Sequence, residues 1–408
     1  MSPVTCRGCG AELVDVFCDL GVSPLANSYV DVADARRMEP FYPLKVLVCR
    51  SCLLVQVEEL ATASDIFSEY AYFSSASTSW LDHARRFAGD AVGALGLGAG
   101  SLVVELASND GYLLRWFVEA GIPVLGVEPA ANVAAAAEAV GVPSRVAFFG
   151  EALGRALAAD RRADLVVANN VLAHVPDLHD FVAGIAELLA PEGVASIEFP
   201  HLLRLMADVQ YDTIYHEHFS YFSIHSLTPV LAAHGLVIAD VVELPTHGGS
   251  LRLSVRHAAV AGPSARVDEV LAAEQAAGLH ELATYLAFGA QVDAAKRTTL
   301  RTLIELREQG LRIAGYGAPA KGNTLLNHCG IGTDFVSFTV DANPVKQGTL
   351  LPGSRIPVLA PDVLRDERPD VVWLLPWNLR DELLEQLAHI RDWGGRFLVL
   401  QPRPELLP

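Results

Sequence analysis

No stretch of this chain approaches the roughly 18 uninterrupted apolar residues that a membrane span requires, and the opening "MSPVTCRGCG" has no apolar signal core. A cytoplasmic protein that stays out of the membrane is therefore expected. Basic residues are scarce: 30 Lys and Arg stand against 48 Asp and Glu, for a formal charge of −18. That balance argues against non-specific nucleic-acid binding and leaves room only for a local basic pocket that takes a phosphorylated ligand. Six cysteines are too few to staple 408 residues with disulfides. No full GxGxxG, heptad pattern, short-period repeat or low-complexity tract occurs. Neither a complete dinucleotide fingerprint nor an oligomer interface is announced, so monomer and dimer both stay open.

What is present is a well-packed globular chain, 51% hydrophobic and 19% charged, long enough for two or three domains. Five of the cysteines fall in the first 52 residues. "CRGC" (Cys6, Cys9) and "CRSC" (Cys49, Cys52) are two knuckles that can bring four thiolates to one tetrahedral centre, as a structural Zn2+ site requires. A redox CxxC would open a helix after a strand, whereas these sit in short polar turns. Cys18 reads as a buried apolar residue rather than a fifth ligand. The zinc-bearing head is expected over residues 1–62.

From Ser101 the pattern changes to alternating strands and helices. "SLVVELAS", "IPVLGVEP", "ADLVVANNVLAHV" and "GVASIEFPHL" read as buried strands, with "GYLLRWFVEAG", "AANVAAAAEAVG" and "HDFVAGIAELLA" as helices. Repeated βα units predict a parallel sheet with its ligand at the carboxyl ends of the strands, over residues 63–262. An Ala-, Glu- and Leu-rich helical stretch and a second αβ series, beginning "LRIAGYGAPAKGNTLLN", fill residues 263–408. The expected fold class is thus α/β, with a zinc head and two Rossmann-like domains.

The turn after the first strand is "ELASNDG" and the second strand ends in "GVEP". Backbone amides of such a turn approach a nucleoside ligand, and a strand-end acid accepts ribose hydroxyls. Ala107 and Asn109 stand where glycines would cradle a pyrophosphate, and Asp110 would repel phosphate yet suit an ammonium. The pattern favours S-adenosylmethionine over NAD(P)H, with Glu105, Ala107, Ser108, Asp110, Gly111, Glu128 and Pro129 as cofactor residues. Asn169 and Asn170 join them at the same rim. In the second turn, "GYGAPAKGN", Lys321 could neutralise a phosphate near a helix N-terminus, and Asp341 ends the next strand. This is half of a dinucleotide site, open to NAD(P)H, to the nucleotide part of a substrate, or to neither.

The densest chemistry lies in "YDTIYHEHFSYF", Tyr211 to Phe222. Two histidines at i and i+2 point to different faces of a helix, so this is not a metal motif of the HExxH kind. Together, the double CxxC, "ELASNDGYLL", "IYHEHFSYFS", "HGGSLR" and "GYGAPAKGNTLLN" resemble, in order over nearly the whole chain, the zinc-containing S-adenosylmethionine-dependent sugar C-methyltransferases. That resemblance implies a central class I methyltransferase domain and a C-terminal domain that helps bind a dTDP-4-keto-deoxysugar. It also implies methylation of a carbon beside the keto group, C3 or C5, in antibiotic or cell-surface glycan pathways. It implies an active site of His218, Tyr215, Glu217, His174 and Tyr70, with Tyr72 as the neighbouring alternative.

The chemistry stands on its own as well. An α-proton must be removed and an enolate stabilised. His218 is expected as base, with Tyr215 and His174 on the enolate oxygen and Tyr70 closing the site. Glu217 would either orient His218 or hold a sugar hydroxyl. Tyr72, His247, Ser250, Arg252, Tyr316, Lys321 and Asn323 are expected on the substrate. The competing readings are an NAD(P)H-dependent ketoreductase, a bifunctional enzyme, and a non-catalytic zinc scaffold.

Overall fold

The computed structural model describes residues 3–62, 74–76 and 78–408. Tyr70 and Tyr72 lie outside the described residues.

In the head, β1 (Asp15–Ser23), β2 (Tyr42–Val48) and β3 (Val55–Val57) pair antiparallel, and the sheet's fourth strand, Ser220–Tyr221, comes from far along the chain. A segment this small is only marginally stable by itself. Its apolar residues accordingly join a wider core: Phe17, Val46 and Val55 belong to one cluster with Leu205, Tyr285, Leu325 and Leu351. The 1–62 boundary thus marks order along the chain and not an independent core.

After helix α1 (Thr78–Leu95), seven strands build the central sheet: β4 (Val103–Leu106), β5 (Val124–Glu128), β6 (Ser144–Val146), β7 (Ala163–Asn169), β8 (Leu189–Pro200), β9 (Leu236–Leu244) and β10 (Ser250–His257). Their order is β9-β10-β8-β7-β4-β5-β6. Neighbours from β6 to β8 run parallel, and β10 runs antiparallel to both β8 and β9. β4 and β7 are apolar and almost wholly buried, as a strand covered by helices on both faces must be. The "NVLAHV" part of the expected third strand instead turns away at Asn170, which has φ 55, and closes into a single turn at Leu172–His174. Helix α2 (Leu178–Leu188) follows, started by Asp177, whose side chain accepts from the Asp180 amide. Helix α3 (Ile224–Ala232) packs near β9.

Helices α4 (Ala265–Ala276) and α5 (Phe288–Glu308) lead to the last domain, and α5 covers the head through a Phe17–Phe288 stack at 4.5 Å. There β11 (Ile313–Tyr316), β12 (Val336–Val340), β13 (Val358–Leu359), β14 (Val371–Leu374), β15 (Arg396–Val399) and β16 (Glu405–Leu407) take the order β13-β12-β11-β14-β15-β16. Helix α6 (Ala320–Cys329) follows β11. In each of the two large sheets the chain starts at a central strand, winds to one edge and then crosses back, leaving a switch point beside β4 and another beside β11. Among the described residues no helix is long and apolar enough to cross a membrane.

Candidate active site

A cavity of about 960 Å³ opens at the carboxyl ends of the central strands. Three parts of the chain wall it: the rim of the central sheet, the head loop that carries Leu25, Asn27, Ser28 and Tyr29, and Pro319 to Lys321 at the start of α6.

On the sheet side, the turn after β4 places Ala107 (φ 52), Asn109 (φ 49) and Gly111 (φ 73) in the left-handed region. The chain makes this tight turn with only one glycine, at the cost of strain in the other two residues. Ala107, Asn109, Glu128, Pro129, Asn169 and Asn170 line the cavity. Glu128 accepts from the amides of Asn109 and Ala130, both at 2.9 Å, while its burial pushes its pKa above the usual range. The other four residues expected here are not on the cavity wall. Glu105 is buried beneath the turn and driven well above the carboxylate range by that burial. Ser108 packs so close to Gly126 that a Cβ there would meet its hydroxyl at 2.4 Å. Asp110 accepts from the Ser75 amide at 3.1 Å and from its hydroxyl. Gly111 sits against Val142 and Ala137. Five further aromatic residues line the cavity without having been expected: Trp80, Tyr112, Phe148, Phe149 and Phe181. Trp80 stacks on His83 at 4.8 Å and meets His247 edge-on at 5.4 Å, and Phe148 is 52% exposed. The adjacent phenylalanines of "AFFGE" were the available signal.

Opposite lies the histidine cluster. Phe219 donates its amide to Ala173 at 2.7 Å and Ser220–Tyr221 pairs with Val55 and Gln56, so both neighbouring bodies fix the segment. His218 Nδ1 donates to the Thr213 carbonyl at 2.9 Å. Its tautomer follows: Nε2 keeps the lone pair, on a ring that lines the cavity. Tyr215 lies 4.0 Å from that ring and His174 meets it edge-on at 4.7 Å. Burial lowers the pKa of His218 well below the usual value, with the nearby His174 and His247 adding to the effect. Burial also lowers His174 and His247 to about 4. Three neutral imidazoles therefore face one cavity at pH 7.

Glu217 is 2% exposed, and burial pushes it up to about 7. Thr213 holds His218 in place, so Glu217 is left with its carboxylate on the cavity wall. His216 points the other way, donating Nε2 to the Pro43 carbonyl at 3.1 Å. The i, i+2 separation of faces that the sequence implied is thus realised.

The third wall is cationic. Lys321 Nζ donates to Asn378 at 2.7 Å above the Trp377 ring, and burial lowers it to about 8 against the pull of Asp212. Lys346, which sequence reasoning missed, lines the same side and lies over the Tyr29 ring. His247 is also on the cavity wall, with φ 54. Four expected substrate residues are not. Ser250 bonds the Thr246 carbonyl, Tyr316 sits in the core under β11, and Asn323 donates to the Ala26 carbonyl at 2.7 Å. Arg252 is claimed by Glu198, 2.7 Å away, whose side chain is fully buried. Burial raises Glu198, but His83 and Arg252 outweigh it and hold the net value below the usual range. Arg252→Ala should therefore strand a buried carboxylate and cost about 3–5 kcal/mol of folding stability, measurable by chemical denaturation. A variant as stable as the parent would return Arg252 to the substrate.

At the second glycine turn, Gly317 donates to Val340 at 2.7 Å and Ala318 to Asp341 at 2.7 Å. Asp341, which the sequence offered to a ribose, closes its own loop and pairs with Lys346. Away from the cavity, Cys6, Cys9, Cys49 and Cys52 place their sulfur atoms within 4.8 Å of one another, and the Gly8 and Ser51 amides donate to Cys6 and Cys49. Four convergent thiols with amides on the sulfurs fit a tetrahedral zinc. Cys18 lies apart in the core. Arg7, inside the first knuckle, donates to the carbonyls of Val57 (2.7 Å) and Phe219 (3.0 Å), tying the cysteine cluster to the histidine segment.

Comparison with known proteins finds three domain models along the chain. A zinc binding domain model matches residues 6–67, a methyltransferase domain model residues 80–241, and a C-methyltransferase C-terminal domain model residues 245–402. Among solved structures, an S-adenosylmethionine-dependent methyltransferase from Mesorhizobium loti is 17% identical, covering 43% of this chain and 99% of that one with a TM-score of 0.34. Magnesium protoporphyrin IX methyltransferase from Synechocystis, solved with bound S-adenosylmethionine, is 17% identical over 44% of this chain and 78% of that one, with a TM-score of 0.31. The C-methyltransferase NovU of Streptomyces niveus is 38% identical over 98% of this chain and 96% of its own. The chain belongs to this C-methyltransferase family and is an S-adenosylmethionine-dependent C-methyltransferase.

Proposed function

We propose that the acceptor is a dTDP-4-keto-deoxysugar and that the methyl goes to the carbon beside its keto group, C3 in our reading, with C5 the close variant, in deoxysugar biosynthesis for a glycosylated natural product. The observation that carries this is His218. Its Nε2 lone pair, fixed by Thr213, faces a cavity that has a nucleoside-type edge at Glu128, Asn169 and Asn170 and a cationic edge at Lys321 and Lys346.

Asn169 and Asn170 suit S-adenosylmethionine because the Asn169 Oδ1 and both Asn170 amide atoms are buried with no partner among the described residues. Polar atoms left so in a cavity wall are completed by a ligand. Glu128 would take the ribose, and Ala107 and Asn109 would lie along the nucleoside. S-adenosylmethionine, when bound, supplies an electrophilic methyl group on a sulfonium. The chain's own residues do the rest. His218 Nε2 takes the proton α to the ketone, and the electron pair left behind moves onto the carbonyl oxygen. Tyr215 stands beside His218 to donate to that oxygen, while His174, neutral and bonded through its ring to the Glu217 backbone, packs edge-on against His218. Glu217 holds a hydroxyl or amine of the sugar, and Lys321 and Lys346 hold the diphosphate. Cys6, Cys9, Cys49 and Cys52 would hold a structural zinc outside the chemistry.

Mass spectrometry after incubation with S-adenosylmethionine and a panel of dTDP-4-keto sugars tests this. A gain of one methyl, placed by NMR next to the keto carbon, is the expected result, and no gain on any member would overturn the substrate class. Calorimetry should show S-adenosylhomocysteine binding and no NADPH binding. Asn170→Ala should weaken the former by about tenfold, the worth of a lost hydrogen-bonding group. NADPH binding with no response to S-adenosylhomocysteine would favour the ketoreductase reading.

A further inference from the structure

We propose that Asn27, supplied by the zinc-bearing head, is a positioning residue for methyl transfer: it sets the Glu217 carboxylate in the orientation that receives the acceptor substrate. The proposal rests on the reading of Glu217 as a substrate-holding group.

Asn27 and Glu217 are 190 residues apart in the chain, yet Asn27 Nδ2 lies 3.0 and 2.9 Å from the two carboxylate oxygens. One nitrogen straddling both oxygens fixes the plane of the carboxylate. Among the described residues no other side chain is recorded hydrogen-bonding that carboxylate, which is 2% exposed and lines the cavity. A buried carboxylate with no donor would be strongly penalised, so the amide both stabilises and aims it.

Asn27 can serve this purpose because its loop is held rigidly. The Ala26 carbonyl accepts from Asn323 of α6 at 2.7 Å, Ser28 bonds back to Leu25 at 2.7 Å, and the Tyr29 hydroxyl donates to the Ala318 carbonyl. Asn323, expected on the substrate, acts one step removed: it clamps the loop that carries Asn27. The head therefore contributes a side chain to the site as well as a fold. The titratable groups around Glu217 are Tyr29 from the head, His174 from the turn after β7, Tyr215 and His218 on its own segment, and Lys321 and Lys346 across the cavity.

The test uses the full-length enzyme as Asn27→Ala, Asn27→Asp, Glu217→Gln and the Asn27→Ala/Glu217→Gln double variant. Zinc content and S-adenosylhomocysteine affinity serve as checks of folding. Asn27→Ala should lower kcat/KM by about tenfold to a hundredfold, the range for a lost hydrogen bond to a charged group. Amide donors favour the ionised carboxylate, so their loss should move the acid limb of kcat/KM to higher pH. Asn27→Asp, of equal size, should move it further, because a second carboxylate opposes ionisation. In the Glu217→Gln background Asn27→Ala should add nothing. Wild-type kcat/KM and an unmoved acid limb in both Asn27 variants, with Glu217→Gln impaired, would overturn the role of Asn27 alone. Multiplicative losses in the double variant would overturn it too, showing that Asn27 does not act through Glu217. Wild-type activity of Glu217→Gln would overturn the role of Glu217 and the inference with it.

Discussion

Replacing His218 with alanine should lower methyl transfer by about 10²–10⁴-fold, the usual worth of a positioned general base, while S-adenosylhomocysteine binds as before. The residues proposed for the cofactor, Ala107, Asn109, Glu128 and Asn170, line the cavity with their own groups, which the loss of the imidazole leaves in place. A second measurement separates deprotonation from transfer. In D2O with S-adenosylhomocysteine bound, the parent enzyme should exchange the proton α to the ketone for deuterium, and His218→Ala should not. Tyr215→Phe should slow exchange without abolishing it, since the base remains and only a donor to the enolate oxygen is lost. The pH dependence has a definite sign. Burial lowers the pKa of His218 well below the usual value, so its basic form persists as pH falls through neutrality. Glu217, raised to about 7, is ionised only above that value. The acid limb near neutrality should therefore belong to Glu217 and vanish in Glu217→Gln, not in variants around His218. Wild-type turnover by His218→Ala, or undiminished exchange, would remove it as the base.

Loss of the metal should have the second largest effect. One zinc per chain is expected at Cys6, Cys9, Cys49 and Cys52, measurable by elemental analysis. Structural zinc in small domains contributes apparent binding energies of about 10–16 kcal/mol at neutral pH. Chelation or Cys49→Ala should thus collapse the head and lower the melting temperature. Activity should fall with it, although the cysteines do not line the cavity, because the head's β3 holds the strand Ser220–Tyr221 and Arg7 holds the Phe219 carbonyl. Arg7→Ala separates the two effects: zinc should stay bound while kcat falls, since the anchor beside His218 is loosened and the thiolates are untouched. A metal-free protein with the parent's melting temperature and turnover would show that the cysteines serve no structural site.

The legible parts of this protein were those in which chemistry and chain proximity coincide. The two knuckles place each cysteine pair three residues apart, and a parallel strand such as β7 carries a run of buried apolar residues ending in the paired asparagines. The turn after β4 was legible as a turn but not in its facing, because three left-handed residues in a row of five decide which side chains look into the cavity. Arg252 and Ser250 were misplaced for a related reason. A cation after a glycine pair looks like a ligand-binding group until Glu198, 54 residues earlier, is found beneath it.

By itself the sequence determined the local units: cysteine pairs spaced for one tetrahedral site, βα alternation suited to a wound sheet, and a histidine-rich segment whose buried polar groups need partners. Tertiary structure decided which of these units meet. It brought Asn27 to Glu217 and Arg7 to Phe219, and it turned His216 away while His218 lines the cavity. Residues that meet across a hundred or more positions leave no periodic mark on the chain, because nothing local constrains them. Only the packing of the three bodies around one cavity fixes their distances, and it leaves one histidine on the cavity wall and makes its neighbour a structural strut.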